Sequence, residues 1–396
     1  MNCKIWRFET VKKSIAILLL VLSNILLVPM LKANAVEELL ISAPTNRLMN
    51  GKFIDESLGE QLKPAGKLGQ IFLLTPKAKI VFLVDMSTLE EIVDMSDGYT
   101  LNNEGAGINN MVAKNWLDRF RQVSNSNNSV SISYGNPSKE WVEKLFKDEN
   151  EYYQSVNKIR LEEFLGKSVK LDSLPNEKQM QLPKEAITSF VSADTQLRIL
   201  SSIVNPKELA AQRLRLAQLL NPGIDAKNIP IFYADFNKSM SEVRNKLRVA
   251  STKFTVTNEK QKLPITLVNG FESDVKLKMV AKPTNLKVGT RSVGEIELPA
   301  KSKKQVLLPI DVFASGTSAL QVQLTDLDGK SIGYPVYISL NLTVISTTTT
   351  WLTSIAALLL LIGVITQSVR RFKSNKGEEL PAPKSLVAKG KGISRG

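Results

Sequence analysis

The sequence predicts an α/β domain over residues 71–250, built as a partial β/α barrel or a small doubly wound sheet. An immunoglobulin-like β-sandwich follows at 251–346, and then one C-terminal transmembrane helix at 350–369. Three observations predict this. Short apolar runs alternate with helix-period patterns up to about residue 250, closely spaced β-branched runs replace them after Thr252, and the stretch from Trp351 to Val369 is apolar and uncharged.

The 396 residues suffice for two ordinary domains, and a 43% hydrophobic content excludes a mainly disordered chain. At the start, Lys4, Arg7, Lys12 and Lys13 precede an apolar run from Ile15 to Leu31, and "ANA" at 33–35 puts small residues at the cleavage positions. That pattern predicts a signal peptide over 1–35, cut after Ala35; its other reading is a retained signal anchor, because the apolar run is long. Cys3, the single cysteine, lies before the run, so the exported part must be held by cores rather than disulfides. Residues 36–70, with Pro44, Gly51, Gly59, Pro64, Gly66 and Gly69, read as an extended, loop-like segment.

In the α/β region, "IFLL" (71–74) and "KIVFLVD" (79–85) read as strands, and "STLEEIVDMS" as a helix capped by Ser87 or Thr88. A loop at 98–107 leads to an amphipathic helix from Ile108, and "SVSISYG" (129–135) alternates like a strand. The pattern then repeats, with a long helical region after "NPSKEWV", strands at "AITSFVSA" (186–193) and "LRILSSI", a helix at "NPKELAAQRLRLAQLL" and a strand at "IPIFYADF" (229–236). Strands alternating with helices predict parallel βαβ units. From "KFTVTN" to "GYPVYISLNLTVI", six or seven short strands with "NG" (269–270) and "DG" (328–329) turn signals predict the sandwich.

The span at Trp351–Val369 is close to the roughly 20 residues a membrane helix needs. Trp351 suits the outer interface and "RRFKSNK" the cytoplasmic side, so the exported part lies outside and the tail at 370–396 inside. The net charge of +14 is concentrated at the ends: residues 1–35 carry +4 and residues 370–396 carry +6, which leaves +4 for everything between. Basicity therefore serves topology and contact of the tail with anionic membrane lipid, and no nucleic-acid partner is expected.

The chain contains no histidine, which removes Ser-His-Asp and Cys-His catalysis and the usual histidine-ligated zinc sites, and no "GxxxxGK[ST]" loop occurs. No cofactor or metal is expected. Carboxylates are the remaining candidates for acid–base work: Asp85 and Asp235 each end a predicted strand, where α/β folds bind ligands, and each could instead cap the next helix. Glu90, Glu91, Asp94 and Asp97 read as a solvated helix face, without the spacing of a calcium loop. Tyr99 and Tyr134 are candidate sugar-stacking residues, while Trp116 and Trp141 read as core.

The order of "FLVDMSTLEEIVDMSDGYTL", "AKNWLDRF", "SVSISYGNPSKEWV", "LPITLVNGFESDVKLKM" and "VQLTDLDGKSIGYPVYISLNLTVI", then the span and "RRF", resembles an actinobacterial family. Its members are exported, C-terminally membrane-anchored proteins of unknown function, typically encoded beside the lipid II flippase. Relatives usually carry Val-Asp-Pro where this chain has Val84, Asp85 and Met86, and their middle region is longer. The resemblance implies a cell-envelope setting linked to export of peptidoglycan precursor, and supplies no catalytic residues. The strand-end aspartate is also similar to that of polysaccharide deacetylases, whose metal needs histidines that this chain lacks. The sequence thus predicts recognition or tethering of cell-wall assembly machinery or glycan. A carboxylate-dependent glycan hydrolase using Asp85 and Asp235 and a structural spacer are the alternatives.

Overall fold

The structure, a computed structural model, describes residues 37–74, 80–172, 178–343 and 347–374. The expected signal peptide with its cleavage after Ala35, and most of the basic tail, lie outside these residues. The chain divides into two compact units between Lys246 and Leu247.

The first unit is mixed α/β. Four parallel strands, β1 (Glu37–Ile41), β2 (Ile80–Val84), β3 (Asn128–Ser131) and β4 (Lys170–Leu171), lie side by side in sequence order with no reversal. Helices α1 (Ser57–Leu62), α2 (Ile71–Leu74), α3 (Met86–Ser96), α4 (Asn110–Ser126), α5 (Lys139–Leu145) and α6 (Asn150–Leu165) fill the connections. The segment at 36–70 is more than an extended lead-in, because its first residues form the edge strand β1 along β2. Strand β2 is buried along almost its whole length, as expected of a parallel sheet covered on both faces. In the core, Phe120 stacks on Trp116 at 5.4 Å between ring centres and meets Phe82 edge-on at 5.7 Å.

The remainder of this unit is helical and corrects four strand expectations. "IFLL" forms α2; "AITSFVSA" and most of "LRILSSI" form one helix, α7 (Lys184–Ser201); and "IPIFYADF" opens α9 (Ile229–Lys246), with α8 (Ala210–Leu219) between them. The buried residues of α7 include Ala186, Phe190, Ala193, Leu197 and Leu200, and those of α9 include Phe232, Phe236, Met240 and Val243. Steps of three and four give a helical stripe, and a short apolar run taken from inside such a stripe imitates a strand. Pro230 is tolerated because it sits in the first turn of α9. Asp235 therefore lies within a helix, not at a strand end.

The second unit contains two sheets. The first has the order β10 (Ile296–Leu298), β8 (Val275–Pro283), β12 (Gly316–Thr325), β13 (Ser331–Leu342) and β6 (Lys253–Val256); the second runs β5 (Leu247–Val249), β7 (Lys260–Asn269), β11 (Lys303–Val312) and β9 (Val288–Thr290). All pairings are antiparallel except β6 with β13. Burial alternates along β7, β8, β11 and β13, so each sheet has one covered face. Asn269–Gly270 is not a hairpin turn, since β7 and β8 belong to different sheets. Asp328–Gly329 does turn the β12–β13 hairpin, with Gly329 at φ +87°.

Helix α10 (Thr347–Ser374) contains the apolar stretch Trp351–Arg371, long enough to cross a membrane.

Replacing Phe120 by Ala should cost about 3–5 kcal/mol through the cavity it leaves among Phe82 and Trp116. Urea unfolding of the full chain in detergent, followed by tryptophan emission, checks this value.

Candidate functional site

Val84 ends β2 and Asp85 starts α3, adopting an extended backbone (φ −93°, ψ 112°) as the helix N-cap. Its side chain supplies the cap, as the capping alternative for Asp85 expected and in place of Ser87 or Thr88: Oδ1 accepts from Ser87 N at 3.0 Å, and Oδ2 from Ser87 Oγ at 2.9 Å. Oδ1 also accepts from Gly135 N, 2.8 Å away after β3, and Oδ2 from Ser42 Oγ, 3.3 Å away after β1. Asp85 is 0% exposed. One carboxyl group therefore joins three strand ends. Asn157 on α6 completes the junction, accepting from Met86 N at 2.6 Å and donating to Val84 O and Ser131 Oγ, both at 2.9 Å.

Gly135 is required here. Its φ is +77°, and a Cβ would come within 2.7 Å of Gln218 N on α8. Asn136, also at positive φ, donates to Ser42 Oγ, and Asn221 donates to Gly135 O.

Burial pushes the Asp85 carboxyl up from 3.8 to about 7, against hydrogen bonds from Gly135, Ser87 and Thr88 that favour the charged form. Such a value would suit a general acid. The group is nevertheless enclosed, and both oxygens already have donors within the fold.

In front of this junction lies a pocket of about 330 Å³. It is lined by Arg47, Leu48, Met49 and Gly51 from the chain after β1, by Glu90, Tyr134 and Arg160, and by Ala211, Leu214, Arg215 and Gln218 of α8. The Tyr134 hydroxyl donates to Glu90 Oε2 at 2.6 Å, Arg160 Nη1 donates to Glu90 Oε1 at 2.7 Å, and the Arg160 guanidinium lies 5.5 Å from the Tyr134 ring centre. Burial, with the Glu90 charge second, holds the Tyr134 phenol well above its ordinary value, so it stays a donor.

Arg215 is only 4% exposed. It donates from Nη1 to Thr45 Oγ1 at 2.9 Å and from Nη2 to the carbonyl of Arg47 at 2.5 Å. Thr45 in turn donates to the buried Glu91 at 2.5 Å, and Glu91 accepts from Asn46 N at 2.8 Å. Burial raises the Glu91 carboxyl, opposed by Thr45, Asn46 and the charges of Arg47 and Arg215. Arg47 also pairs with Asp94. The expected solvated face of α3 is thus corrected for Glu90 and Glu91, which are tied to arginines or to the 45–47 chain; Asp94, though paired with Arg47, and Asp97 still face solvent.

Asp235 Oδ2 accepts from Met49 N at 2.7 Å, fixing that wall from α9. Asp85 and Asp235 share no hydrogen-bond partner among the described residues, and neither lines the pocket. Each instead holds backbone of the wall, Asp235 at Met49 and Asp85 at Gly135 beside Tyr134. Tyr134 lines the pocket, whereas Tyr99 does not: it packs edge-on against Phe53 and bonds to Glu56 and Asn109 N, pinning the 98–109 loop. Sequence reasoning missed Asn157, Arg47, Arg160 and Arg215. Asn157 had a legible signal, a polar residue between the buried Tyr153 and Leu161 at helical spacing.

A family model described as "Family of unknown function (DUF6049)" matches residues 161–383, more than half of the 396. The chain belongs to that family. The DUF6049 match covers α7 to α9 and the sheets of the second unit, and includes Asp235 but not Asp85, Tyr99 or Tyr134. No curated protein matches the chain in sequence. Solved structures resemble it over about a quarter of its length. A PapD-like domain of human CEP192 is 14% identical, covering 26% of this chain and 87% of that one, with a TM-score of 0.20. The C. elegans MSP family member WR4 is 15% identical over 24% and 97%, at 0.19. E. coli alpha-2-macroglobulin is 13% identical over 24% of this chain, which spans 6% of that protein, at 0.20. Likenesses this slight carry no functional weight.

The folded Asp85 holds its proton more tightly than the unfolded one, so its contribution to stability is full below 3.8 and falls as pH rises to about 7. Asp85→Asn, which keeps an acceptor at Oδ1 and offers donors to the hydroxyls, should flatten this fall in urea midpoints measured from pH 4 to 8. Asp85→Ala should cost about 2–4 kcal/mol near pH 4, by stranding buried donors and removing the cap, and the cost should shrink as pH rises towards 7, where the wild-type contribution has fallen.

Proposed function

We propose that this DUF6049 chain is a single-pass cell-envelope protein that recognises and tethers cell-wall assembly machinery or glycan without catalysing a reaction. The observation that carries the reading is the pocket at the carboxyl edge of the parallel sheet, where α/β folds bind ligands. Its wall presents the guanidinium donors of Arg160 and Arg47, the acceptor Glu90 and Tyr134, a set suited to the mixed donor–acceptor surface of a polyhydroxyl or acidic sugar. Neither candidate aspartate reaches this space, which favours recognition over hydrolysis.

In this reading α10 crosses the membrane, the first unit lies outside, and the basic tail rests on anionic lipid inside. The second unit is an immunoglobulin-like sandwich acting as spacer. Its chain enters at Leu247, beside Asn269, and leaves at Leu342, beside Gly316. The short links 257–259 and 313–315 put the Lys260 and Val312 ends of one sheet at the Leu342 end of the other, so entry and exit are separated by a strand length of about 30 Å. The resemblance to exported proteins encoded beside the lipid II flippase supports a role near peptidoglycan precursor export.

Calorimetric titration of the full chain in detergent with soluble peptidoglycan fragments tests this reading. Wild type should bind, and Arg160→Ala combined with Tyr134→Phe should weaken binding by about tenfold or more through loss of charge-assisted contacts. Unaltered affinity in the folded double variant, or release of new reducing ends by wild type, would contradict it.

A further inference from the structure

The geometry points to a second lipid contact, outside the membrane helix: the Leu342 end of the second unit is a surface on which Leu286 and Phe313 enter the headgroup layer. This rests on the reading that α10 crosses the bilayer.

Leu286 is 95% exposed and Phe313 71% exposed. They belong to separate connections, Thr284–Lys287 between β8 and β9 and Phe313–Ser315 between β11 and β12, yet the fold ties these together. Phe313 N donates to Lys287 O at 2.8 Å, Asn285 Nδ2 donates to Thr317 O at 3.3 Å, and Ser318 Oγ donates to Asn285 Oδ1 at 3.0 Å. Lys287 N closes the turn onto Asn285 Oδ1 at 3.1 Å. The two apolar side chains are therefore presented by one braced tip.

The register gives that tip its direction. Gly316 pairs with Leu342, the last residue of β13, so Phe313–Ser315 project past the end of the strand that leads to the membrane helix. From Leu342 to Thr347, where α10 begins, the chain reaches at most about 17 Å. Trp351, at the start of the apolar stretch, adds about 6 Å of helix. The tip is thus held within reach of the headgroup layer on the side where the chain enters the bilayer.

The charges there do not oppose contact. Lys260 and Lys287 flank the tip, Asp311 is paired with Arg291, and Glu259 is the remaining acid. At the opposite end the β12–β13 turn carries Asp326, Asp328 and Lys330 around Leu327, which is 40% exposed. Tyr334, 75% exposed, lies towards that end as well, but among the aliphatic and phenylalanine side chains of the two sheets and their connections Leu286 and Phe313 are the most exposed, and both lie at the end from which the chain leaves for the membrane.

The test uses the full chain with Cys3→Ser, reconstituted into vesicles of phosphatidylcholine with a minority of phosphatidylglycerol and a headgroup-region spin-labelled lipid. An environment-sensitive fluorophore is attached, one site at a time, after Ala314→Cys, Asp328→Cys or Ser354→Cys. The expected result is loss of emission at positions 314 and 354 and retained emission at 328. Adding Leu286→Asp and Phe313→Asp should restore emission at 314 alone, with an unchanged circular dichroism spectrum. Loss at 354 with 314 behaving like 328 overturns the tip contact and leaves anchoring intact. Retained emission at 354 removes anchoring, and the contact with it.

Discussion

The carboxyl group of Asp85 links the chain after β1, the start of α3 and the chain after β3, and the carboxyl edge of the sheet takes its shape from these bonds. No guanidinium or ammonium group is among its principal electrostatic partners; hydrogen-bond donors surround it instead. Desolvation therefore wins over stabilisation of the charge, and the group keeps its proton to about pH 7. Glu91, nearly two turns along α3, shows the other solution. It is equally buried, but the charges of Arg47 and Arg215 and the Thr45 relay oppose the rise. These neighbours form two layers of one support: Asp85 positions Tyr134–Gly135, while Glu91 and Arg215 position the 45–47 chain, and the pocket is the space between.

The second unit is governed by register rather than by polar chemistry. Alternating burial gives each sheet one covered face, and the short links between the sheets fix which strand ends lie together. Entry at Leu247 and exit at Leu342 follow from that connectivity. So does the presentation of Leu286 and Phe313 beside the exit, which would otherwise count as two unremarkable surface residues.

Much of this was legible in the sequence. The β2-to-α3 junction at Asp85, the β3 region, seven strands of the second unit and the apolar C-terminal helix all carry local periodic signals. The failures have physical causes. Strand β1 is short, starts beside the small residues that suit a cleavage site and is followed by the turn-forming Pro44 and Asn46, and only pairing with β2 reveals it. Strands β5 and β9 have three residues each and no periodicity of their own. In α7 and α9 the helical period is completed by polar residues outside the short apolar run, so the run on its own has the look of a strand. Of the pocket only Tyr134 was legible as a binding candidate, with Asp85 marking the sheet edge beside it. Arg160 and Arg215 come from helices remote in sequence, and only the fold brings them together.

The most direct measurement of whether Asp85 is an enclosed structural group is a carbon-13 NMR titration of the aspartate carboxyl carbons in the full chain in detergent, with Asp85→Asn as assignment. The account predicts one carboxyl with its midpoint near pH 7, absent from the variant and unmoved by peptidoglycan fragments. An Asp85 signal titrating in the ordinary aspartate range, or shifting when the fragments are added, would contradict it.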